Sequence, residues 1–348
     1  MTASTPGSRA VALWLLTGVL LIAAMVTIGG ITRLTGSGLS ITEWNVIMGA
    51  LPPRTEADWA ELFRKYQAIP QFQVVNPHFA LEDFKSIFWW EYLHRLVGRG
   101  LGLVFLVPFV VFLARGWLDR PLRRKVLLIL ALGLFQGVLG WFMVASGLSD
   151  RTSVSHYRLA AHLLTALVTL AVTLWVALDL LPHDHTPRPA PTALRAQVRV
   201  FTALVALQTL YGALVAGLKA GFAYNTFPLM GGRWMPDGAW QLVPRWVNLV
   251  ENPATVQFVH RALAWTLAVF GIWLWHTLRV HGVRRRGNLL LVALALQFSL
   301  GILTILRLPS QPVLWGASHQ AGAVALLVAT VLALHAVSRD RLSPTTHR

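Results

Sequence analysis

The stretch IFWWEYLHRLVGRGLGLVFLVPFVVFL, residues 87–113, is long and apolar enough to cross a membrane as a helix, and it contains one histidine, His94. Seven similar stretches occur, at about 11–31, 126–147, 156–178, 199–218, 254–278, 288–307 and 313–337. Soluble domains carry about 25% charged residues, whereas this chain of 348 residues is 13% charged and 55% hydrophobic. We therefore predict an all-α polytopic membrane protein with eight transmembrane helices.

Single histidines lie deep in the second, fourth, sixth and eighth predicted spans, at His94, His162, His260 and His319. An ionisable side chain inside a membrane helix is expensive and marks a functional site. Each lies about six or seven residues from the start of its predicted helix, roughly 10 Å at 1.5 Å per residue. Four imidazoles at one level, toward the outer face, predict axial ligands for two haems, with His94 facing His162 and His260 facing His319.

Zinc is the competing metal for these histidines. Helical zinc sites often use two histidines four residues apart with a glutamate between them, and the chain has no such spacing. It also has no cysteine to complete a tetrahedral ligand set.

The two halves of the chain resemble each other. Residues 94–105, which begin His-Arg and continue as an apolar run, resemble residues 260–270. We infer a duplicated four-helix unit, residues 1–185 and 195–340, folded as two pseudo-symmetric four-helix bundles. The proline-rich stretch PHDHTPRPAP, residues 182–191, is predicted to link them.

The net charge of +16 is explained by orientation in a membrane. The two termini and every second loop together carry 16 basic residues and four acidic ones. The positive-inside rule therefore predicts that both termini lie in the cytoplasm. This distribution argues against a nucleic-acid partner. The basic residues are Arg9, Arg115, Arg120, Arg123, Arg124, Lys125, Arg188, Arg195, Arg199, Arg279, Arg284, Arg285, Arg286, Arg339, Arg341 and Arg348.

Glu91 is the carboxylate closest to a membrane histidine. It precedes His94 by three residues, so both project from one face of the helix, whereas the second half has Gln257 at this position. A carboxylate beside a reactive centre moves protons or holds charge. The alternative is a structural ion pair with Arg95 or Arg99.

Arg95 and Arg261 each follow a predicted ligand histidine. A guanidinium group binds carboxylates with two parallel hydrogen bonds, so both arginines are candidates for holding haem propionates. The alternative is a pair of arginines that extend toward the outer interface.

The first outer loop, residues 32–86, is predicted to contain a surface helix. Thr55 and Asp58 form a weak capping box after Pro53. An aromatic and aliphatic stripe follows at helical spacing, which predicts a helix lying on the lipid interface or over the mouth of the bundle. The stripe is Trp59, Leu62, Phe63 and Tyr66.

Six stretches together resemble the haem A synthase family over nearly the whole chain: GITRLTGSGLSITEW (30–44), FKSIFWWEYLHRLVGR (84–99), YRLAAH (157–162), YNTFPLM (224–230), QFVHR (257–261) and SHQAG (318–322). The resemblance implies two four-helix bundles with pseudo-twofold symmetry. It implies two successive oxidations of the C8 methyl group of haem O, which give the formyl group of haem A.

The resemblance also assigns roles to residues. It implies that haem O binds as substrate in the N-terminal half, with Glu91, His94 and His162 as catalytic residues. It implies a resident haem B in the C-terminal half, held by His260 and His319. The chain is similar to the cysteine-free branch of the family.

Partners and location follow from the same resemblance. It implies a bacterial inner membrane, the prenyltransferase that makes haem O as a possible contact, and an electron donor that no motif identifies. A Trp-rich rim would permit a homo-oligomer.

Two other functions fit four membrane histidines. A di-haem b-type electron carrier would place one haem near each membrane face, whereas the histidines here are predicted to share one level. A haem transporter or chaperone would have looser ligation and would form no oxidised product.

Overall fold

The computed structural model describes residues 6–44, 48–149, 151–182 and 190–338. Ten α-helices lie in these ranges: α1 Pro6–Leu34, α2 Glu56–Gln67, α3 Leu81–Ala114, α4 Arg120–Leu148, α5 His156–Leu180, α6 Thr192–Gly217, α7 Asn248–Glu251, α8 Pro253–Val280, α9 Arg284–Arg307 and α10 Pro312–Ser338. Eight of them, all except α2 and α7, are long and apolar enough to cross a membrane. This confirms the predicted fold class. Residues 183–189, most of the predicted linker, lie outside the described residues.

Most of the spanning helices extend beyond the predicted apolar runs, because charged residues occupy their first turns. α4 begins with Arg120, where Asp119 caps the helix by accepting a hydrogen bond of 2.8 Å from the Leu122 amide. α3 begins at Leu81, so His94 lies well over three turns into its helix. The predicted start of this helix was therefore wrong by six residues, although the three other helix starts carrying histidines agree within one residue.

The buried apolar side chains form two main cores that share α10. The first core draws on α1, α3, α4 and α5, and the second on α6, α8 and α9. Val324 and Val331 of α10 belong to the first core, whereas Leu326 and Ala333 belong to the second. About half of the apolar segment is buried in α10 (50%), against 11% in α3 and α4, so α10 is central and α3 and α4 are peripheral.

Aromatic contacts fix α3 against α1. The Trp14 indole donates a 2.7 Å hydrogen bond to the Val104 carbonyl, and its ring lies 5.7 Å from Phe105 and 5.3 Å from Phe112. Gly18 leaves the space that the Phe105 ring occupies, because a Cβ at this position would overlap the ring. This packing sets α3 alongside α1 and brings His94 against Gly29, near the C-terminal end of α1.

The surface helix α2 packs over the N-terminal end of α3. Its N-terminus has the predicted capping box, in which Thr55 accepts from the Asp58 amide and the Asp58 carboxylate accepts from the Thr55 amide. Trp59 is buried, with its ring 4.9 Å from that of Phe88. The apolar stripe of α2 therefore faces the protein, over the bundle mouth.

Candidate functional site

The imidazoles of His260 and His319 face each other across the second half of the molecule. They lie on α8 and α10, with ring centres 6.4 Å apart and ring planes at 81°. A metal–imidazole bond of about 2 Å, plus about 1 Å from nitrogen to ring centre, places two rings on opposite sides of one metal ion about 6 Å apart. The separation is that expected of two axial ligands of one haem iron.

His94 and His162 are the second predicted pair. They lie on α3 and α5, and both side chains are half-buried. The fold brings His260 and His319 together as the sequence predicted, whereas the pairing of His94 with His162 stays a prediction.

Ring nitrogens at these sites lack hydrogen-bond partners. Nδ1 is buried and unbonded to any described residue in His94, His260 and His319. Buried polar atoms in native proteins are bonded in about 90% of cases or more, so an unbonded one points to an absent partner. Three such nitrogens on facing imidazoles are consistent with a bound group that uses them.

A glycine on the neighbouring helix faces each imidazole. A Cβ added to this glycine would lie closest to the ring atom Cε1, at distances between 2.9 and 3.4 Å. Contacts this short are tighter than side chains normally make, so each glycine provides room for a ring. The pairs are Gly29 on α1 with His94 (2.9 Å), Gly301 on α9 with His319 (3.1 Å), Gly212 on α6 with His260 (3.3 Å) and Gly140 on α4 with His162 (3.4 Å).

The donor set suits haem and not a protein-only metal site. Within the described ranges, no cluster of three or more His, Cys, Asp and Glu side chains is present that could hold a metal ion. Haem iron needs only axial ligands from the protein, because the porphyrin fills its other positions. Pairs of facing imidazoles in glycine-lined spaces therefore fit haem.

Glu91 is buried and fully bonded beside the first pair. It is 3% exposed, and its Oε2 accepts hydrogen bonds from the Ser40 hydroxyl at 2.7 Å and the Ile41 amide at 2.8 Å. Its Oε1 accepts from Arg95 Nε at 3.1 Å and Nη2 at 2.6 Å. Four donor atoms thus fix the carboxylate. The ion pair with Arg95, which the sequence offered as the structural alternative, is present, and it leaves a chemical role for Glu91 open.

Arg95 is held by the outer loop as well as by Glu91. Its Nη2 donates to the Ile41 carbonyl at 2.7 Å and its Nη1 to the Glu43 carbonyl at 2.8 Å. The Trp44 ring lies over the guanidinium group, 5.1 Å away. These contacts tie the loop to the helix turn that carries His94.

Arg261 makes matching contacts in the second half. Its Nη2 donates to the Tyr224 carbonyl and its Nη1 to the Thr226 carbonyl, both at 2.7 Å. Gln257, at the position of Glu91, donates to the same Tyr224 carbonyl at 3.1 Å. Arg261 Nε is buried without a partner among the described residues, so this guanidinium has a donor to spare for a bound anion.

The loop that holds Glu91 is itself buried under α2. Gly36 adopts φ of +71°, a conformation that favours glycine, and its carbonyl accepts from the Gln71 amide at 3.0 Å. Tyr66, which contacts Gln71, is fully buried, and this burial raises the pKa of its phenol. The surface helix therefore acts on the site through the turn beneath it.

Several of these residues escaped the sequence analysis. Ser40 was not singled out, because it lies 51 positions from Glu91 and nothing in the sequence joins them. The glycines were not singled out, although Gly140 and Gly301 each follow a glutamine by four residues, at Gln136 and Gln297. The signal that would have found Gly212 is the same Gln-x-x-x-Gly spacing, which occurs once more in α6 at Gln208.

Comparison with known proteins shows the family to which the chain belongs. A family model described as cytochrome oxidase assembly protein (COX15-CtaA) matches residues 12–331. Curated proteins named heme A synthase are similar over nearly their whole length. The protein from Parvibaculum lavamentivorans is 45% identical over 95% of both chains. Those from Nitrosospira multiformis and Rhodospirillum centenum are 46% and 48% identical, over 95% of this chain and 94% and 89% of theirs.

Proposed function

The chain belongs to the cytochrome oxidase assembly (COX15-CtaA) family, and we propose from this premise how its two histidine pairs divide the work of haem A synthesis. It acts as a haem A synthase, an oxidoreductase that converts haem O to haem A. Its eight apolar helices make it a multi-pass membrane protein. The observation that carries the division of work is the difference between the pairs: a buried glutamate accompanies His94, and an uncharged glutamine takes its place beside His260.

The N-terminal pair, His94 and His162, holds haem O as substrate. Here the C8 methyl group is oxidised in two successive steps to a formyl group. This assignment is supported by Glu91, because a carboxylate one helical turn from a ligand can hold charge or move protons next to the reacting group.

The C-terminal pair, His260 and His319, holds a resident haem B. The assignment is supported by the ring separation of 6.4 Å and by the absence of an ionisable neighbour at Gln257. Arg261 supplies an unused Nε–H for a propionate.

The protein's own part in the reaction is to position groups and handle protons. Haem iron, when bound, supplies the redox chemistry. Glu91 keeps its carboxylate fixed beside His94 through Arg95 and Ser40, so no reorganisation is needed as charge develops. The Ser40 hydroxyl donates to Glu91 Oε2 and so joins the loop before α2 to the carboxylate. Arg95 serves this arrangement by holding Glu91 and the loop.

The two halves, residues 1–185 and 195–340, form the N- and C-terminal four-helix bundles. The matching contacts of Arg95 and Arg261 with their outer loops support this division. The excess of basic residues on alternate loops supports a bacterial inner membrane location with both termini in the cytoplasm.

Partners are inferred from the substrate and product. Haem O is apolar and reactive, so direct transfer from the prenyltransferase that makes it is expected, together with an electron donor of unknown identity. Exposed tryptophans between α6 and α8, Trp234 (69%) and Trp246 (67%), provide a surface for a homo-oligomer or for lipid. Mild crosslinking followed by purification tests the transfer contact, and failure to recover the prenyltransferase would count against it.

Haem extraction and chromatography test the function and the division together. The protein is expressed with a source of haem O, as wild type, His94→Ala and the matched variant His260→Ala. Haem A and its hydroxylated precursor are expected in wild type. His94→Ala should lose both and retain haem B, whereas His260→Ala should lose haem B.

Two results would contradict the proposal. Recovery of haem B alone, at two per chain, would make the protein a di-haem electron carrier. Loss of haem B in His94→Ala with haem O products retained would reverse the assignment of the two pairs.

A further inference from the structure

An aromatic cluster joins α8 to α9 beside the second histidine pair. The ring of Trp265 on α8 lies 4.9 Å from that of Phe298 on α9, and the ring of Phe227, from the loop after α6, lies 6.0 Å from Trp265 and 6.5 Å from Phe298. Trp265 follows the predicted ligand His260 by five residues, and Phe298 precedes Gly301, which faces the other imidazole, by three. The cluster therefore closes the seam between the two helices close to both imidazoles.

The same seam is closed further along by leucines packed on glycines. Leu294, one turn before Phe298 on α9, is buried, and it occupies the space that a Cβ at Gly271 of α8 would fill. Nearer the turn that connects the helices, a Cβ at Gly287 of α9 would lie 3.1 Å from Leu278 of α8. α8 and α9 are therefore in contact from the aromatic cluster to their connecting turn.

The N-terminal half has glycines where the second half has these large side chains. Aligned on the glycines that face the histidine rings, α4 carries Gly137 where α9 carries Phe298, and Gly133 where α9 carries Leu294. Over the described residues, α3 and α4 pack against each other far less closely than α8 and α9 do. The contacts that seal the second half thus have no counterpart on α4.

The open side of α4 lies next to a predicted ligand. Gly133, Gly137 and Gly140 stand at positions i, i+4 and i+7, so they share one face of the helix. Gly140 faces the ring of His162, whereas a Cβ at Gly133 or Gly137 would meet nothing within 4 Å among the described residues. Both of these glycines are exposed. The face that meets the imidazole therefore continues into space that is reached from outside the protein.

α3 is held by α1 and not by α4. The residue of α3 that corresponds to Gly271 is Phe105, and its ring fills the space left by Gly18 on α1. In the second half this pairing is reversed, because Phe201 of α6 packs on Gly271 of α8. The large side chain of α3 is therefore turned away from α4, which leaves the gap between α3 and α4 unfilled.

A gap between helices has a different consequence in a membrane than in water. Lipid chains are as apolar as leucine side chains, so the bilayer can fill a glycine-lined gap at little cost. An apolar ligand dissolved in the bilayer reaches the site through the same gap. Aromatic rings packed across a seam bury large areas, and they have to separate before a ligand can pass. The two halves therefore differ in how readily a haem exchanges with the bilayer.

We propose that haem O enters the N-terminal site sideways from the bilayer, through the gap between α3 and α4, and that haem A leaves by the same route. The aromatic cluster of Phe227, Trp265 and Phe298 closes the corresponding route in the second half and keeps its haem resident. The inference rests on the proposed function, in which the N-terminal pair holds the substrate. Gly137 and Phe298, at equivalent positions, thus separate a site that exchanges its haem from one that retains it.

Loss of haem B to a scavenger tests the aromatic cluster without measuring turnover. The full chain carrying haem B is mixed with an excess of a haem-scavenging globin, and the transfer is followed by absorption. Phe298→Ala should release haem B about tenfold faster than wild type or more, because rings no longer have to separate. Leu296→Ala is the matched control, since it removes an apolar side chain that is 52% exposed on the same helix, and it should release haem B at the wild-type rate.

Uptake of haem O from lipid tests the gap. The full chain with haem B bound is placed in phosphatidylcholine vesicles, kept anaerobic and mixed with vesicles of the same lipid that carry haem O. Haem O per chain is then measured over time by extraction. Gly137→Phe should slow uptake about tenfold or more, because a ring now has to move aside before a ligand passes.

Val138→Phe is the matched control for uptake. It adds the same ring one residue along α4, about 100° around the helix, at a side chain that is 56% exposed, and it should take up haem O as wild type does. If Gly137→Phe does not accumulate in the membrane, Gly137→Leu repeats the measurement with a smaller side chain. The Phe298→Ala result holds independently of both.

Three results would overturn the proposal: uptake by Gly137→Phe as fast as by wild type, equal slowing in Val138→Phe, or release of haem B from Phe298→Ala no faster than from Leu296→Ala. Its failure is distinct from failure of the proposed function. In the first case wild type still forms haem A while the exchange rates disagree, and in the second no haem A is formed at all.

Discussion

Alanine substitution at the four glycines should weaken haem binding in the order of their distances from the imidazoles. A Cβ at Gly29 would lie 2.9 Å from the ring of His94, which is closer than side chains ever tolerate, so the ring or the helix has to shift. The distances rise to 3.1 Å at Gly301, 3.3 Å at Gly212 and 3.4 Å at Gly140, where ordinary contact begins.

Two opposing effects set the magnitude. Replacing glycine by alanine inside a helix stabilises the chain by about 0.5–1 kcal/mol. Forcing an extra methyl group into a packed site costs about 1–3 kcal/mol. Gly140→Ala should therefore bind haem nearly as wild type does, whereas Gly29→Ala should lose affinity about tenfold or more at the first site.

The assay measures the haem retained per chain after incubation with an excess of a haem-scavenging globin. The thermal unfolding temperature of each variant is measured in parallel. Gly137→Ala is the matched control, because it lies on the same helix as Gly140 and a Cβ there meets nothing within 4 Å. This control should retain haem fully and unfold no earlier than wild type. Equal haem retention in Gly29→Ala and Gly137→Ala would refute the claim that the glycines make room for ligand rings.

Three further predictions concern Glu91 and the outer loop. Glu91→Gln keeps an acceptor for its neighbours, so it should retain haem but form less haem A, measured by chromatography; loss of bound haem would make Glu91 structural. The backbone amides of Arg54 and Thr55 donate to the Asp58 carboxylate and lower its pKa. The ionised carboxylate therefore stabilises the start of α2 fully above the ordinary pKa of about 3.9, and this stabilisation is lost as the pH falls through the lowered pKa. Protection of the α2 amides from hydrogen exchange, relative to their intrinsic rates, should accordingly fall only below about pH 4, and unchanged protection would contradict this. Trp59→Ala removes a buried indole and should destabilise the protein by about 3–5 kcal/mol, seen as an earlier thermal unfolding; a change under about 1 kcal/mol would place the ring outside the core.

The spanning helices could be predicted from the sequence because lipid leaves few alternatives. A run of about 20 apolar residues can satisfy its backbone inside a bilayer only as a helix. The ends of the helices could not be read in the same way. α3 continues outward to Leu81 through residues that are charged, since the helix there is stabilised by α2 and no longer by lipid.

The sequence identified candidate residues of the site, but it could not predict which residues contact them. The histidines stand out because each is costly in an apolar helix, and Glu91 stands out for the same reason. Their partners carry no such mark: Ser40 is an ordinary loop serine, and Gln208 is an ordinary residue in an apolar helix until the fold places it beside the His260 ring. That the arginines following His94 and His260 bind loop carbonyls also needed the structure, because a guanidinium serves carbonyls and propionates equally well.

The position of α10 limits how the chain can be divided into independent parts. Its residues alternate between two cores, with Val324 and Val331 on one side and Leu326 and Ala333 on the other. Either half alone would leave an apolar surface bare, so neither is a freestanding module that could be lost, borrowed or recombined between proteins.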